Sequence, residues 1–362
     1  MRRAFHPPCV SALLSILASA GCSGTTGQGF FVVADAGDGV FHIDGSVNPG
    51  SGADATHFLP PSGDAGSGTG EAGTTVTTIY ANTDDSLYSL DPMNNNVALI
   101  GMFSGLGGGS GDDSITDCAV NAAGDVYVNS ESVVYRATLP AGAGTVALTK
   151  VASIALQSSQ KFYALAFAPA GVLGTTEALV GGDGNGELWS IDTTTGATRD
   201  LGSFGPNPSD SKDILALSGD IVFYSVGGVA TGIATIRSCK SGGGSCTESD
   251  DYLAGIDMTA LENAYSSGTP APSLLSGIYG GSTGSTGQGT GFGELFGLGV
   301  WEGSVFAFGR AESSNPPNLV SINTASGGAT LISSAFNFTD GWSGAGVSTT
   351  TTVTIGAPPP IK

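Results

Sequence analysis

One pattern recurs five times along the chain and restricts its architecture more than any other feature. It is a short apolar run closing on an acidic or polar residue, as in "LYSLD" (87–91), "VYRAT" (134–138), "LWSID" (188–192), "LAGID" (253–257) and "LVSIN" (319–323). Each copy follows a polar turn such as "NTDDS" or "GDGNGE". A second run comes after it: "VALIG", "VALTKV", "TRDLG" and "ATLIS", with "SLLSG" after an insertion in the fourth copy. Alternating pairs such as "YALAFAP" with "EALVGG" precede the copies. Each unit therefore reads as about four short strands separated by Gly, Asn and Asp turns. The 59 glycines fit many tight turns better than long helices.

A four-stranded unit of this length cannot bury both of its faces alone. Stacking the units around an axis supplies the core, which predicts an all-β chain folded as a β-propeller. The expected inner strands are "ITDCAV", "YALAFA", "ILALSG", "LFGLGV" and, near the end, "WSGAGV". The last has no unit of its own to follow it and fits as the innermost strand of the first unit. Such a closure joins the chain's ends and leaves no unpaired edge. Five blades are expected. Six is the alternative, because "VFHID" (40–44) imitates the signature, though it lacks flanking inner and outer strands.

With its "LWSIDTTTG" hairpin, the chain resembles the secreted bacterial β-propellers whose blades carry "LYxIDxxTG"-like hairpins. The resemblance covers roughly residues 75–350 and implies a geometry shared by many functions, not one activity.

The N-terminal "MRRAFHPPCVSALLSILASAGC" predicts an address. Arg2 and Arg3 precede an apolar stretch, Val10–Ala20, too short to span a bilayer, and small residues precede Cys22. Residues 1–21 read as a signal peptide. "SAGC" resembles the lipobox of bacterial lipoproteins, which implies lipidation at Cys22, although Ser19 stands where Leu is usual. The expected location is the outer membrane or cell surface through a lipid anchor, or secretion if Cys22 carries no lipid. Residues 22–74 are rich in Gly, Ala, Ser and Asp, a composition that cannot offset its ordering entropy, and read as a tether. The propeller is expected over 75–350 and a tail over 351–362.

Charge and missing residue types exclude several functions. The chain carries 31 acidic and 11 basic residues, and no Lys or Arg lies between Arg3 and Arg136. Nucleic acid is therefore not an expected partner. All three histidines, His6, His42 and His57, precede the propeller, which leaves no base for a Ser-His-Asp site although "GGSTG" (280–284) has nucleophile-elbow spacing. Cys239 and Cys246 bracket "KSGGGS" and are expected to form a disulfide in an exported chain, there being no third ligand to complete a zinc site. Cys118 reads as a buried inert thiol. In "GDGNGE" (182–187), Asp183, Asn185 and Glu187 are oxygen donors at alternate positions, but Leu188 and Thr194 break the EF-hand pattern, so a hairpin turn is expected. A short helix is expected at 257–265, with Thr259 and Glu262 at capping-box spacing.

These observations predict a non-catalytic binding or scaffolding module, monomeric, with calcium as the one cofactor that oxygen ligands alone could hold. A calcium-dependent carboxylate hydrolase or lyase and a purely structural envelope protein are the alternatives. Most acidic residues fall in loops on one face, where outer-to-inner connections and second-to-third-strand turns emerge. Asp84, Asp85, Asp112, Asp113, Asp117 and Asp183 are the candidates there for a cation or a basic protein partner. Asp112, Asp113 and Asp117 are expected nearest the axis.

Overall fold

The computed structural model describes residues 78–155, 161–241, 246, 250–281, 289–310, 316–338 and 341–353. The signal segment, the tether with its "VFHID" run and most of "GGSTG" lie outside them. The chain's regular elements are strands, with one short helix among the described residues. β1 (Ile79–Asn82), β2 (Ser86–Asp91) and β3 (Asn96–Ser104) open a first meander, and β4 (Asp117–Val120), β5 (Val126–Asn129), β6 (Val133–Thr138) and β7 (Gly144–Ser153) make the second. The third holds β8 (Phe162–Ala168), β9 (Ala178–Asp183), β10 (Glu187–Ile191) and β11 (Thr198–Ser203). The fourth adds β12 (Pro206–Asn207) to β13 (Asp210–Val226), β14 (Val229–Lys240), β15 (Tyr252–Ile256) and β16 (Leu275–Ile278), with helix α1 (Met258–Ser267) between the last two. The fifth contains β17 (Leu295–Trp301), β18 (Ser304–Gly309), β19 (Asn318–Ile322) and β20 (Ala329–Ser333). β21 (Gly344–Gly346) and β22 (Thr352–Val353) follow.

Every copy of the recurring signature becomes the third strand of a meander: β2, β6, β10, β15 and β19. The turn after it explains the Asp-x-Thr-x-Gly spelling. Asp192 Oδ1 accepts hydrogen bonds from the N–H groups of Thr194 and Thr195, and the Gly196 N–H closes on the Asp192 carbonyl. Asn323 repeats this with Ala325, Ser326 and Gly327. Gly196 has φ 73°. A Cβ there would stand 1.9 Å from the carbonyl oxygen of Ser153, on the outer strand of the preceding meander. Only glycine meets both demands. In the first meander Asn95, at φ 59°, takes the equivalent place, a conformation Asn tolerates better than most residues.

The cores lie between meanders, as expected when each sheet must bury both faces. Val133, Tyr135 and Ala137 of β6 pack toward the first meander, while Val134 packs toward the third with Phe162, Leu165 and Trp189. A further core joins the third and fourth meanders through Leu201, Leu215 and Leu274, and another joins the fourth, fifth and first. β21 pairs antiparallel with β1, Ala345 opposite Ala81, so the end of the chain supplies the inner strand of the first meander. Trp342, fully buried, seats this closure with edge-on contacts to Tyr88 of the first meander and Phe308 of the fifth.

Four details depart from the strand map expected from sequence. β3 and β7, both outer strands, pair in parallel from Gly101–Gly144 to Ser104–Ala147, fusing the first two meanders into one eight-stranded sheet. A Cβ at Gly101 would overlap the Gly144 carbonyl oxygen, so the approach requires glycine. "ILALSG" is part of a 17-residue strand that forms one long hairpin with β14. Thr352 and Val353, placed in the tail by composition, form β22 beside β13. Finally, α1 is capped by Asp257, whose carboxylate accepts from the Ala260 N–H, and not by Thr259. The chain turns helical immediately after β15, so Asp257 is the residue three positions before the N–H that needs an acceptor.

Candidate functional site

The five inner strands converge on two carboxyl groups, Asp117 on β4 and Asp220 on β13, both fully buried. Asp117 Oδ1 accepts from its neighbour Cys118 N–H at 2.7 Å, and Oδ2 from Leu165 N–H of β8 at 2.6 Å. Asp220 accepts from Ile221 N–H and from Leu298 N–H of β17, both at 2.6 Å, and from Ala345 N–H of β21. The two carboxyls are hydrogen-bonded to each other. Between them they take a backbone N–H from β4, β8, β13, β17 and β21.

Burial pushes both groups well above the usual carboxylate range, and the repulsion of Asp220 raises Asp117 further. The mutual hydrogen bond raises Asp117 and lowers Asp220, which holds more backbone donors. Two carboxyls buried side by side favour holding a proton between them over carrying two charges. Below this pair the axis narrows to a space of about 10 Å³ among Val120, Phe167, Val222 and Val347.

On the other side of the pair lies an open cavity of about 510 Å³. Turns between second and third strands from all five meanders contribute to its wall: Asp84, Glu131, Gly184, the Cys239–Cys246 disulfide, and Arg310. Thr116 and Ser343, which lead into the inner strands β4 and β21, line it as well. The cavity thus opens on the face where sequence placed the acidic loops. Its wall charges are mixed. Arg310 pairs with Asp84 at 3.2 Å, and Ser343 also donates to Asp84. Lys161, beside the wall, pairs with Glu131 at 2.8 Å. Arg237 stands 3.5 Å from Asp251, which is almost completely buried, and donates to Ser218. Burial pushes Asp251 up to about 6 although Arg237 and the Leu295 N–H favour its charged form.

The six acidic candidates separate in the structure. Asp84 lines the cavity, and exposed Asp85 sits beside it, hydrogen-bonded to Thr83 and Ser86. Asp112 turns its carboxylate to the Tyr135 hydroxyl at 2.7 Å and to the Gly107 N–H, while Asp113 is exposed. Asp117 belongs to the axial pair. Asp183 is buried in the β9–β10 turn, where its Oδ1 accepts from the Asn185 and Glu187 N–H groups. Asp112 and Asp117 therefore have separate partners and, with exposed Asp113, do not form one cluster. Sequence reasoning missed Asp220 and Arg237. "SGDIVF" repeats the acid-then-alternating-apolar spelling of "TDCAV", and Arg237 is the one charge inside the apolar run "GIATIRSC". Either irregularity could have marked its residue.

The chain matches no protein-family profile and no curated protein sequence. Among solved structures it is similar to a protein of unknown function from Bacteroides caccae, at 8% identity and a TM-score of 0.36, covering 75% of this chain and 99% of that one. It is similar to a chain of a nidogen/laminin complex at 11% identity and a TM-score of 0.39, covering 76% and 99%. The third is BamB from Moraxella catarrhalis, at 14% identity and a TM-score of 0.24, covering 69% and 70%. The fold of this chain, a multi-bladed β-propeller, rests on its own strand pairing and on the cores between its meanders.

Proposed function

We propose that the chain is an exported binding module without catalysis, a monomeric five-bladed propeller anchored through lipid on Cys22, whose partner seats over the cavity on the turn-bearing face. The observation that carries this reading is the cavity itself, with wall residues drawn from every meander. Sites of this kind, concave and with few convergent charges, are where propellers and other closed folds bind partners. Asp84 and Glu131 on the wall, with exposed Asp85 and Asp113 on the same face, suit a cationic group, either calcium or a basic segment of a protein. The five four-stranded meanders and the β21 closure support the blade count, and residues 1–22 support the address.

Titrating hexalysine, and separately calcium, into wild type and Asp84→Asn/Glu131→Gln tests the site. About a tenfold weaker binding of either probe to the variant is expected, since the rim charges are partly exposed. Equal binding, or none to wild type, would remove the wall carboxylates from the site. Cys22→Ser is expected to move the protein from the membrane fraction to the soluble fraction, and unchanged fractionation would refute the anchor.

A further inference from the structure

The wall carries cationic groups that a purely cationic partner does not use. In a chain of 31 acidic and 11 basic residues, both Arg237 and Arg310 line this one cavity. Arg237 is held from behind. Its Nε faces the Asp251 carboxylate, and Nη2 donates to the carbonyl and hydroxyl of Ser218. Among the described residues its Nη1 has no hydrogen-bond acceptor, and its side chain is 21% exposed. A guanidinium fixed along one edge, with donors left on the other, is preorganised to take a carboxylate. Arg310 sits on the same wall in a looser pair with Asp84, its two contacts being 3.2 and 3.5 Å long. Asp84 and Glu131 keep unused lone pairs for an ammonium, since an ionised carboxylate has about four acceptor sites. Tyr163 and Phe296 supply apolar surface on the wall.

Resting on the binding reading above, we infer that this cavity takes a ligand bearing a carboxylate as well as a cationic group, with the dimensions of an amino acid or short peptide. The carboxylate meets Arg237 and Arg310, and the ammonium meets Asp84 and Glu131. The volume of about 510 Å³ accommodates a tripeptide.

Calorimetric titration with trialanine, trialanine amide and N-acetyl-trialanine at pH 7 tests this. Trialanine is expected to bind about tenfold tighter than either blocked form, the loss typical of removing one member of a partly exposed charge pair. Arg237→Met/Asp251→Asn removes the guanidinium without leaving Asp251 charged and unpaired, and is expected to reduce trialanine to the affinity of its amide. Its unfolding midpoint is read first. If the double variant does not fold, Arg310→Gln, at a partly exposed position, is expected to lower trialanine binding in the same direction. Equal binding of trialanine and its amide would overturn the carboxylate subsite while leaving the cationic reading intact. Equal binding of trialanine and its N-acetyl form would overturn the ammonium subsite. No binding of any of the three overturns the inference, and the hexalysine titration separately decides the binding face.

Discussion

Replacing Asp220 with Ala removes the acceptor on which three inner strands converge. The N–H groups of Ile221 and Leu298, each at 2.6 Å, and that of Ala345 are left without a partner in a position closed to water. A buried N–H without an acceptor costs about 1–3 kcal/mol, so the gross loss is about 3–9 kcal/mol. Removing a desolvated carboxylate returns part of this. A net loss of about 2–5 kcal/mol is expected, a large fraction of the roughly 5–15 kcal/mol that stabilises a typical domain. Asp117→Ala, which frees only the Cys118 and Leu165 N–H groups, should cost less. Asp220→Asn should fall between wild type and Asp220→Ala, because one oxygen still accepts while the amide nitrogen faces an N–H. Urea unfolding at pH 7, followed by fluorescence of the buried Trp189 and Trp342, measures the series. If Asp220→Ala lies within about 0.5 kcal/mol of wild type, the range of ordinary surface changes, the axial pair does not tie the strands together.

Stability should rise as pH falls from 8 to 5. Burial raises Asp117 and Asp220, and pushes Asp251 and Glu187 up to about 6. Groups raised on folding contribute fully below their unfolded values and lose that contribution as pH climbs through the folded ones. A melting temperature that drops between pH 8 and pH 5 would contradict this. Gly196→Ala should lose about 2 kcal/mol or more, from its left-handed φ and the overlap with the Ser153 carbonyl, read by the same urea titration. An unchanged midpoint would show that the turn does not seat against the second meander. Deleting residues 336–362 removes Trp342 and β21 and should abolish cooperative unfolding, whereas ending the chain at Gly356 keeps β22 and should leave the transition sharp. A sharp transition in the longer deletion would refute the closure.

The third strands were legible because their spelling has a local cause. Asp192 and Asn323 cap their own turns, and the glycine four residues later meets a neighbour's backbone, so the pattern survives in each unit that needs it. The pairing of β21 with β1 was legible from a strand left without a unit. The β3–β7 pairing was not, because parallel edge pairing depends on how two finished sheets meet and leaves as its trace close-approach glycines such as Gly101 and Gly105. The site was half legible. The face and Asp84 follow from turn positions, but an isolated Asp in a polar segment reads as solvent-facing, and nothing local to "ITDCAV" says that Asp117 meets an acid 103 residues later (220 − 117). The same blindness hid Arg237, whose counter-charge Asp251 lies across a loop.

The β3–β7 ladder also makes the joints of the ring unequal. The first and second meanders share a continuous sheet, and the third and fourth are joined at their rims by the Gly202–Ala271 bridge. The second and third meanders meet where the Ala155 N–H donates to the Gly196 carbonyl, and the fourth and fifth where Gly327 lies against the Tyr279 carbonyl, so among the described residues the first two alone are joined by an extended strand ladder. On the cavity side, the junction of the fifth meander with the first is spanned by the Arg310–Asp84 ion pair. A carboxylate ligand on Arg310 would compete with Asp84 for the same guanidinium, so filling the cavity and bridging the closure of the ring draw on one ion pair.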